Sequence, residues 1–147
     1  MRVLLDTSVL VAAMVESHPG HSGALPWLQR AKNKEVEGAV AAHSLAELYA
    51  VLTSLPVQPR ISPGAAWRLI RENILSDFEI VALSKADYRT VLQSLSENQI
   101  SGGATYDALI AHASVKAKVD RLITLNPDDF RRVRSEIASR VFSPEVS

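Results

Sequence analysis

Apolar and polar positions change period repeatedly along this chain, alternating between short compact runs and the wider spacing of helices. Val3-Leu4-Leu5 is a compact apolar run, and residues 2–5 read as a first buried strand. Helical spacing follows over 7–16 and is broken by His18-Pro19-Gly20-His21. A second helix is expected over 22–32, with Pro26 in its first turns and Trp27 and Leu28 facing the core. Residues 37–42 read as a second strand. Leu45, Leu48, Leu52 and Leu55 make one stripe of a helix over 45–55. Pro56 to Arg60 is a loop, after which Ser62-Pro63 opens a helix carrying Trp67, Leu69, Ile70 and Ile74.

The second half repeats the alternation. Residues 78–83 are rich in β-formers and predict a third strand. Ser84 and Asp87 match a reciprocal capping pair at the start of a helix over 84–97. Gly102-Gly103 is a flexible hinge before a helix over 105–118. That helix is apolar almost all round from Ala108 to Ala113, apart from His112, so it should be central and heavily buried. Residues 121–125 predict a fourth strand and 141–142 a short fifth. Strands alternating with helices imply an α/β fold, with a mainly parallel central sheet of four to five strands flanked by helices. One domain is expected over 1–147, with a C-terminal tail from about 135.

Composition narrows the class. A chain of 147 residues, 47% of them apolar, has enough material for a single real core. No apolar run approaches the ~18 residues of a membrane span, and no signal-peptide pattern is present. The absence of cysteine excludes a disulfide framework, a thiolate metal site and a cysteine nucleophile. A cytoplasmic protein is the expectation. Sixteen basic and sixteen acidic residues balance, which argues against a general basic footprint for nucleic acid. Arg131, Arg132, Arg134 and Arg140 still cluster, with Glu136 among them; they read as a solvated helix face or as an edge contacting phosphate or a partner.

The candidate chemistry lies in four acidic stretches: Asp6, Glu47, Asp107 and the pair Asp128-Asp129. Each has an ordinary structural explanation. Asp6 in Asp-Thr-Ser suits a helix cap. Ser44-Leu45-Ala46-Glu47 matches a capping box. Asp107 falls in a first helical turn, where the macrodipole favours an anion. Asn126-Pro127-Asp128-Asp129 reads as a cap, a proline and two first-turn acids. Their conjunction is harder to dismiss. Helix N-termini in a parallel α/β fold point to the sheet edge where such folds bind ligands. Carboxylates gathered there repel unless protonated or bridged by a cation, and Mg²⁺ is the economical solution.

Four segments, in this order, resemble the PIN-domain ribonucleases, and in particular the VapC toxins of toxin–antitoxin pairs. They are Val-Leu-Leu-Asp-Thr-Ser-Val-Leu, Ser-Leu-Ala-Glu-Leu, Ala-Thr-Tyr-Asp-Ala-Leu-Ile-Ala-His-Ala and Ile-Thr-Leu-Asn-Pro-Asp-Asp-Phe. The resemblance runs from Arg2 to about Val133. It implies a PIN-like domain and a metal site built from Asp6, Glu47 and Asp107, with Thr7 or Ser8 as the hydroxyl beside the first acid. Many family members carry an acid where this chain has Asn126, so Asp129 is assigned the fourth position, with Asp128 as its substitute. The resemblance further implies Mg²⁺ (or Mn²⁺), an RNA substrate, a cognate antitoxin protein and a homodimer. The stretch Leu52 to Trp67 is the expected border of the antitoxin groove. Basic groups for RNA are sought at Lys116, Lys118 and the C-terminal arginines.

Other readings are weaker. A dehalogenase-like phosphatase needs a second Asp two residues after the first, where Ser8 stands. A receiver domain needs an acidic pair at the first strand, and none is obvious. A PIN-like module that binds RNA or protein without cleaving is the serious alternative, because Asn126 departs from the pattern. Among the histidines, His112 reads as a buried hydrogen-bonded residue, His18 and His21 flank a turn, and His43 is expected near the mouth of the site.

Overall fold

The computed structural model describes residues 1–144. Five strands form one sheet in the order β3-β2-β1-β4-β5, and every pairing is parallel. The strands are β1 (Arg2–Leu5), β2 (Glu37–Ala41), β3 (Glu79–Val81), β4 (Arg121–Ile123) and β5 (Val141–Phe142). The helices are α1 (Thr7–Met14), α2 (His21–Lys32), α3 (Ala42–Ser54), α4 (Pro63–Ile70), α5 (Lys85–Glu97), α6 (Ala104–Lys116) and α7 (Pro127–Val133). A π-helical turn, Arg71–Leu75, extends α4, and a 3-10 turn, Ser135–Arg140, precedes β5. The expected C-terminal tail therefore carries that turn and the edge strand, while its last residues, 145–147, lie outside the described part. Among the described residues no helix is long and apolar enough to cross a membrane.

Period-two alternation sorts the strand residues onto two faces. Val3, Leu5, Val40 and Ile123 join the core beneath α1, α2, α3 and α4. Leu4, Ala39, Ala41, Val81, Leu122 and Val141 join a second core beneath α6 and α7, where Phe130 is fully buried. Both faces are covered, as an all-parallel sheet requires. Close packing also constrains backbone: a Cβ on Gly38 of β2 would stand 2.6 Å from the Phe78 ring and 2.9 Å from Ala31 Cβ.

The chain builds the sheet outward from β1 through β2 to β3, then crosses back to place β4 on the other side of β1. The switch point thus lies between β1 and β4, where parallel sheets open a crevice at their carboxyl ends. A backbone bond from Asp6 N to Ile123 O, at 3.0 Å, pins that crevice shut below the site.

Local signals account for most element starts. Ser62 caps α4 through a 3.1 Å bond from Ala65 N, with Pro63 first in the helix. Ser84 and Asp87 make both bonds of the reciprocal cap on α5. One expected start is corrected. α3 begins at Ala42, directly after β2, with Ala41 as a cap that makes no side-chain bond. Ser44 is therefore inside the helix, the Ser44–Glu47 capping box does not form, and Glu47 stands in the second turn.

Candidate active site

Asp6 ends β1 and caps α1, and only 4% of its surface is exposed. Its Oδ1 accepts from Thr7 N at 2.7 Å; its Oδ2 accepts from Ser8 Oγ at 2.7 Å and Thr124 Oγ1 at 2.8 Å. Burial pushes its pKa up, opposed by these hydroxyl and amide donors. A carboxylate offers about four lone-pair positions. The donors from Thr7, Ser8 and Thr124 fix the carboxylate, with two hydroxyls on Oδ2 and the Thr7 amide on Oδ1.

Glu47 faces the same crevice from α3. Burial raises its pKa; His43 opposes that rise and Asp6 adds to it. Thr7 Oγ1 lies 2.9 Å from Ser44 Oγ and 3.4 Å from Glu47 Oε1, so its one hydrogen serves the nearer oxygen and only grazes the carboxylate. Both hydroxyls expected beside the first acid are used, Ser8 on Asp6 and Thr7 on the Glu47 side. His43 Nε2 is 3.3 Å from Glu47 Oε1 but lacks hydrogen-bond geometry, so the buried nitrogen lies against the carboxylate without donating to it.

Asp107 enters from the first turn of α6. Its pKa is raised to about 6, first by burial and then by Asp6, Asp129 and Glu47 in turn, with Arg132 opposing. Three other carboxylates are thus close enough to act on this one. The structure also distinguishes the residues after β4. Asp128 has a 96% exposed side chain and pairs with Arg131 at 3.4 Å, facing solvent. Asp129 pairs with Arg132 at 3.2 Å and lies within the field of Asp107. Asn126 caps α7 by position, is exposed, and its side chain makes no capping bond.

The donor set is all oxygen, as Mg²⁺ or Mn²⁺ prefers. It is open: among the described residues, no three His, Asp or Glu side chains stand close enough together to enclose a bare ion. That suits a cation that keeps several waters and takes one or two carboxylates directly.

The other sequence candidates fall elsewhere. His112 is hydrogen-bonded between Asp87 (3.0 Å) and Arg134 (2.9 Å), a structural role as expected. Because Arg134 can only donate, His112 Nδ1 accepts and its Nε2–H points at Asp87. Lys116 also binds Asp87, at 2.7 Å. His18 accepts from Gly20 N at 2.9 Å within the turn, and His21 bonds Ala12 O of α1 at 2.8 Å. Arg131, Arg132 and Arg134 are engaged with neighbouring acids. Two contributors went unassigned in the sequence: Thr124, which falls inside the expected strand 121–125 but just past the observed β4, and Tyr106, which stacks on His43 with ring centres 5.0 Å apart and planes within 4°.

The PIN domain model matches residues 3–136. Ribonuclease VapC40 of Mycobacterium tuberculosis is 37% identical over 135 residues, covering 90% of this chain and 94% of that protein. Ribonuclease VapC27 of the same organism is 34% identical over 116 residues, covering 79% of each. Among solved structures, VapBC2 from Rickettsia felis bound to a promoter DNA fragment aligns with a TM-score of 0.65 at 20% identity, over 99% of this chain and 100% of that one. The fold, the span of the match and the identity to the two VapC ribonucleases agree: the chain belongs to the PIN-domain family, in its VapC ribonuclease group.

Proposed function

We propose that this protein hydrolyses RNA phosphodiester bonds with Mg²⁺ or Mn²⁺ as cofactor, and that it is the toxin of a toxin–antitoxin pair. The observation that carries the reading is the gathering of Asp6, Glu47, Asp107 and Asp129 at one crevice, where burial, and after it Asp6, Asp129 and Glu47, raise the Asp107 pKa to about 6. Mutual repulsion of that kind, at the switch point of a parallel sheet, is relieved by a divalent cation. Asp6 and Asp107 would hold it, with Glu47 and Asp129 completing the site directly or through water. When bound, the cation supplies an acidified water near neutral pH and charge for the scissile phosphate.

The chain's own residues do the rest. Ser8 and Thr124 lock the Asp6 carboxylate, so its orientation is set before any ion arrives. Ionised Asp6, Glu47, Asp107 and Asp129 repel phosphate, so RNA approaches only when that charge is neutralised. A cognate antitoxin protein, a homodimer and a cytoplasmic site of action complete the proposal. Pairing of Asp129 with Arg132 at 3.2 Å favours a second reading, in which the fourth acid is occupied and the domain binds RNA or protein without efficient cleavage.

An RNA-cleavage assay with titrated Mg²⁺ and Mn²⁺ decides between them, comparing wild type with Asp6→Asn and Asp107→Asn. Metal-dependent cleavage lost in both variants is the expected result. Cleavage that survives a chelator, or full activity in both variants, overturns the mechanism, and binding without cleavage selects the second reading.

A further inference from the structure

We propose that Tyr106, supported by His43, is a stacking platform for one unpaired RNA base beside the candidate active site; the proposal rests on the ribonuclease reading above. Tyr106 lies in the first turn of α6, one position before Asp107, and its ring packs on His43 of α3, the helix that carries Glu47. The residue is 50% exposed. One ring face lies parallel to His43 with centres 5.0 Å apart, a spacing that makes the stack offset. His43 is itself half-buried, with Nε2 3.3 Å from Glu47 Oε1. The tyrosine ring is therefore backed on one face, by a residue of a different helix, and presents exposed surface at the edge of the carboxylates.

The other aromatic side chains are committed differently. Phe78 and Phe130 are buried in the cores. Trp27 carries the Arg30 guanidinium at 4.5 Å, Trp67 carries Arg71 at 6.0 Å, and Phe142 carries Arg121 at 4.3 Å. Tyr49 and Tyr88 are exposed on α3 and α5. Tyr49 follows Glu47 by two positions, about 200° round the helix and so turned away from the site.

The surroundings favour a base over a protein side chain. Ser101, Gly102 and Gly103, which lead into α6, are exposed and carry no apolar side chain. Protein hot spots sit in well-packed, desolvated pockets, whereas an exposed flat ring backed by a second ring suits a planar base. A neutral platform also answers the electrostatics of this chain. Its net charge is zero and the site is acidic, so affinity for RNA cannot rest on charge alone. Stacking is indifferent to the phosphate charge and tolerant of sequence. A base held on Tyr106 leaves its backbone next to Asp107, where a scissile phosphate is needed. Pre-ordering of the ring by His43 lowers the entropy lost on binding.

The test is the affinity of the full chain for a short fluorescein-labelled single-stranded oligoadenylate in Ca²⁺, with RNA-cleavage kinetics in Mg²⁺ alongside. Tyr106→Ala should weaken oligoadenylate binding about 5- to 100-fold, while Tyr106→Phe stays within about 2-fold of wild type. Cleavage should show a raised KM in Tyr106→Ala. His43→Phe, which keeps a flat ring beneath Tyr106, should retain the affinity. Unchanged affinity in Tyr106→Ala overturns the proposal, as does an equal loss in Tyr106→Phe, even if the alanine variant loses binding to a partner protein. A loss in His43→Phe as large as in Tyr106→Ala overturns the support assigned to His43.

The parallel Asp107→Asn cleavage assay separates this idea from the one beneath it. Tyr106-dependent binding by a wild type that cleaves nothing sustains the platform and sinks the enzyme. Metal-dependent cleavage indifferent to Tyr106 does the reverse.

Discussion

Replacing Asp107 with asparagine should stabilise the metal-free protein, and the gain should depend on pH in a way that identifies its cause. The Asp107 carboxyl has a folded-state pKa of about 6 against an ordinary value of 3.8. A carboxyl whose pKa is raised by folding binds its proton more tightly in the native state. Native stability therefore falls as pH rises from the unfolded to the folded pKa, and stays lower above both. At about 1.4 kcal/mol per pH unit the full penalty is roughly 3 kcal/mol. Asp107 is partly exposed, and solvent screening leaves about 1–2 kcal/mol as the expected gain in Asp107→Asn near neutral pH and above. For a chain of this length that is a rise in Tm of roughly 2–8 °C. The gain should shrink to about half near pH 5 and nearly vanish near pH 3, where the native and unfolded carboxyls are both largely protonated. Thermal melts or urea titrations in a chelator, for both proteins across this range, measure it. Added Mg²⁺ should lift wild type selectively and narrow the gap, because a ligand stabilises the state that binds it. A gain of equal size at every pH, or a loss near pH 8, refutes the reasoning from a raised carboxyl pKa.

Two further outcomes follow from packing and from charge away from the site. Gly38→Ala drives a methyl into the Phe78 ring and Ala31, so stability should fall by about 1–3 kcal/mol, and a melting point within ~1 °C of wild type contradicts the close approach. Lys116, followed by the Ser84 amide and His112, holds the Asp87 carboxyl well below the usual range. A depressed carboxylate contributes stability above its unfolded pKa that is lost as pH falls, so Asp87→Asn should lower Tm near neutral pH and converge with wild type in strong acid. A difference independent of pH would leave only the lost helix cap to explain it.

Strands β1 and β4 and helix α6 were legible because each couples an unambiguous apolar run to a turn signal. The parallel sheet followed from their alternation with helices. The start of α3 was not legible. Ala41-Ala42-His43 carries no capping side chain, whereas Ser44 and Glu47 imitate a cap well. The fold settles the competition by running β2 directly into the helix, so Glu47 moves one turn inward and into the crevice. The three acids Asp6, Glu47 and Asp107 could be picked out because each sits near the end of a strand or the start of a helix. Asp129 was preferred to Asp128 only through the family resemblance; successive helical residues point about 100° apart, and the docking of α7 on Phe130 turns Asp128 to solvent and leaves Asp129 within the field of Asp107. The Tyr106–His43 stack joins segments distant in sequence and left no local trace.

The bonding of Asp6 has a practical consequence for anyone preparing an inactive form. Asp6 Oδ2 receives two hydroxyl hydrogens, one of them from Thr124, so the residue ties β1 to the segment leaving β4 as well as facing the site. An asparagine there can present its amide hydrogens to the same hydroxyls, and both hydroxyls must then turn or move. Loss of activity in such a variant mixes altered chemistry with an altered frame. Asp107 carries no comparable duty at the strand junction. It is the better position for a silenced protein meant to preserve the native surface, whether for trapping an RNA or for capturing an antitoxin.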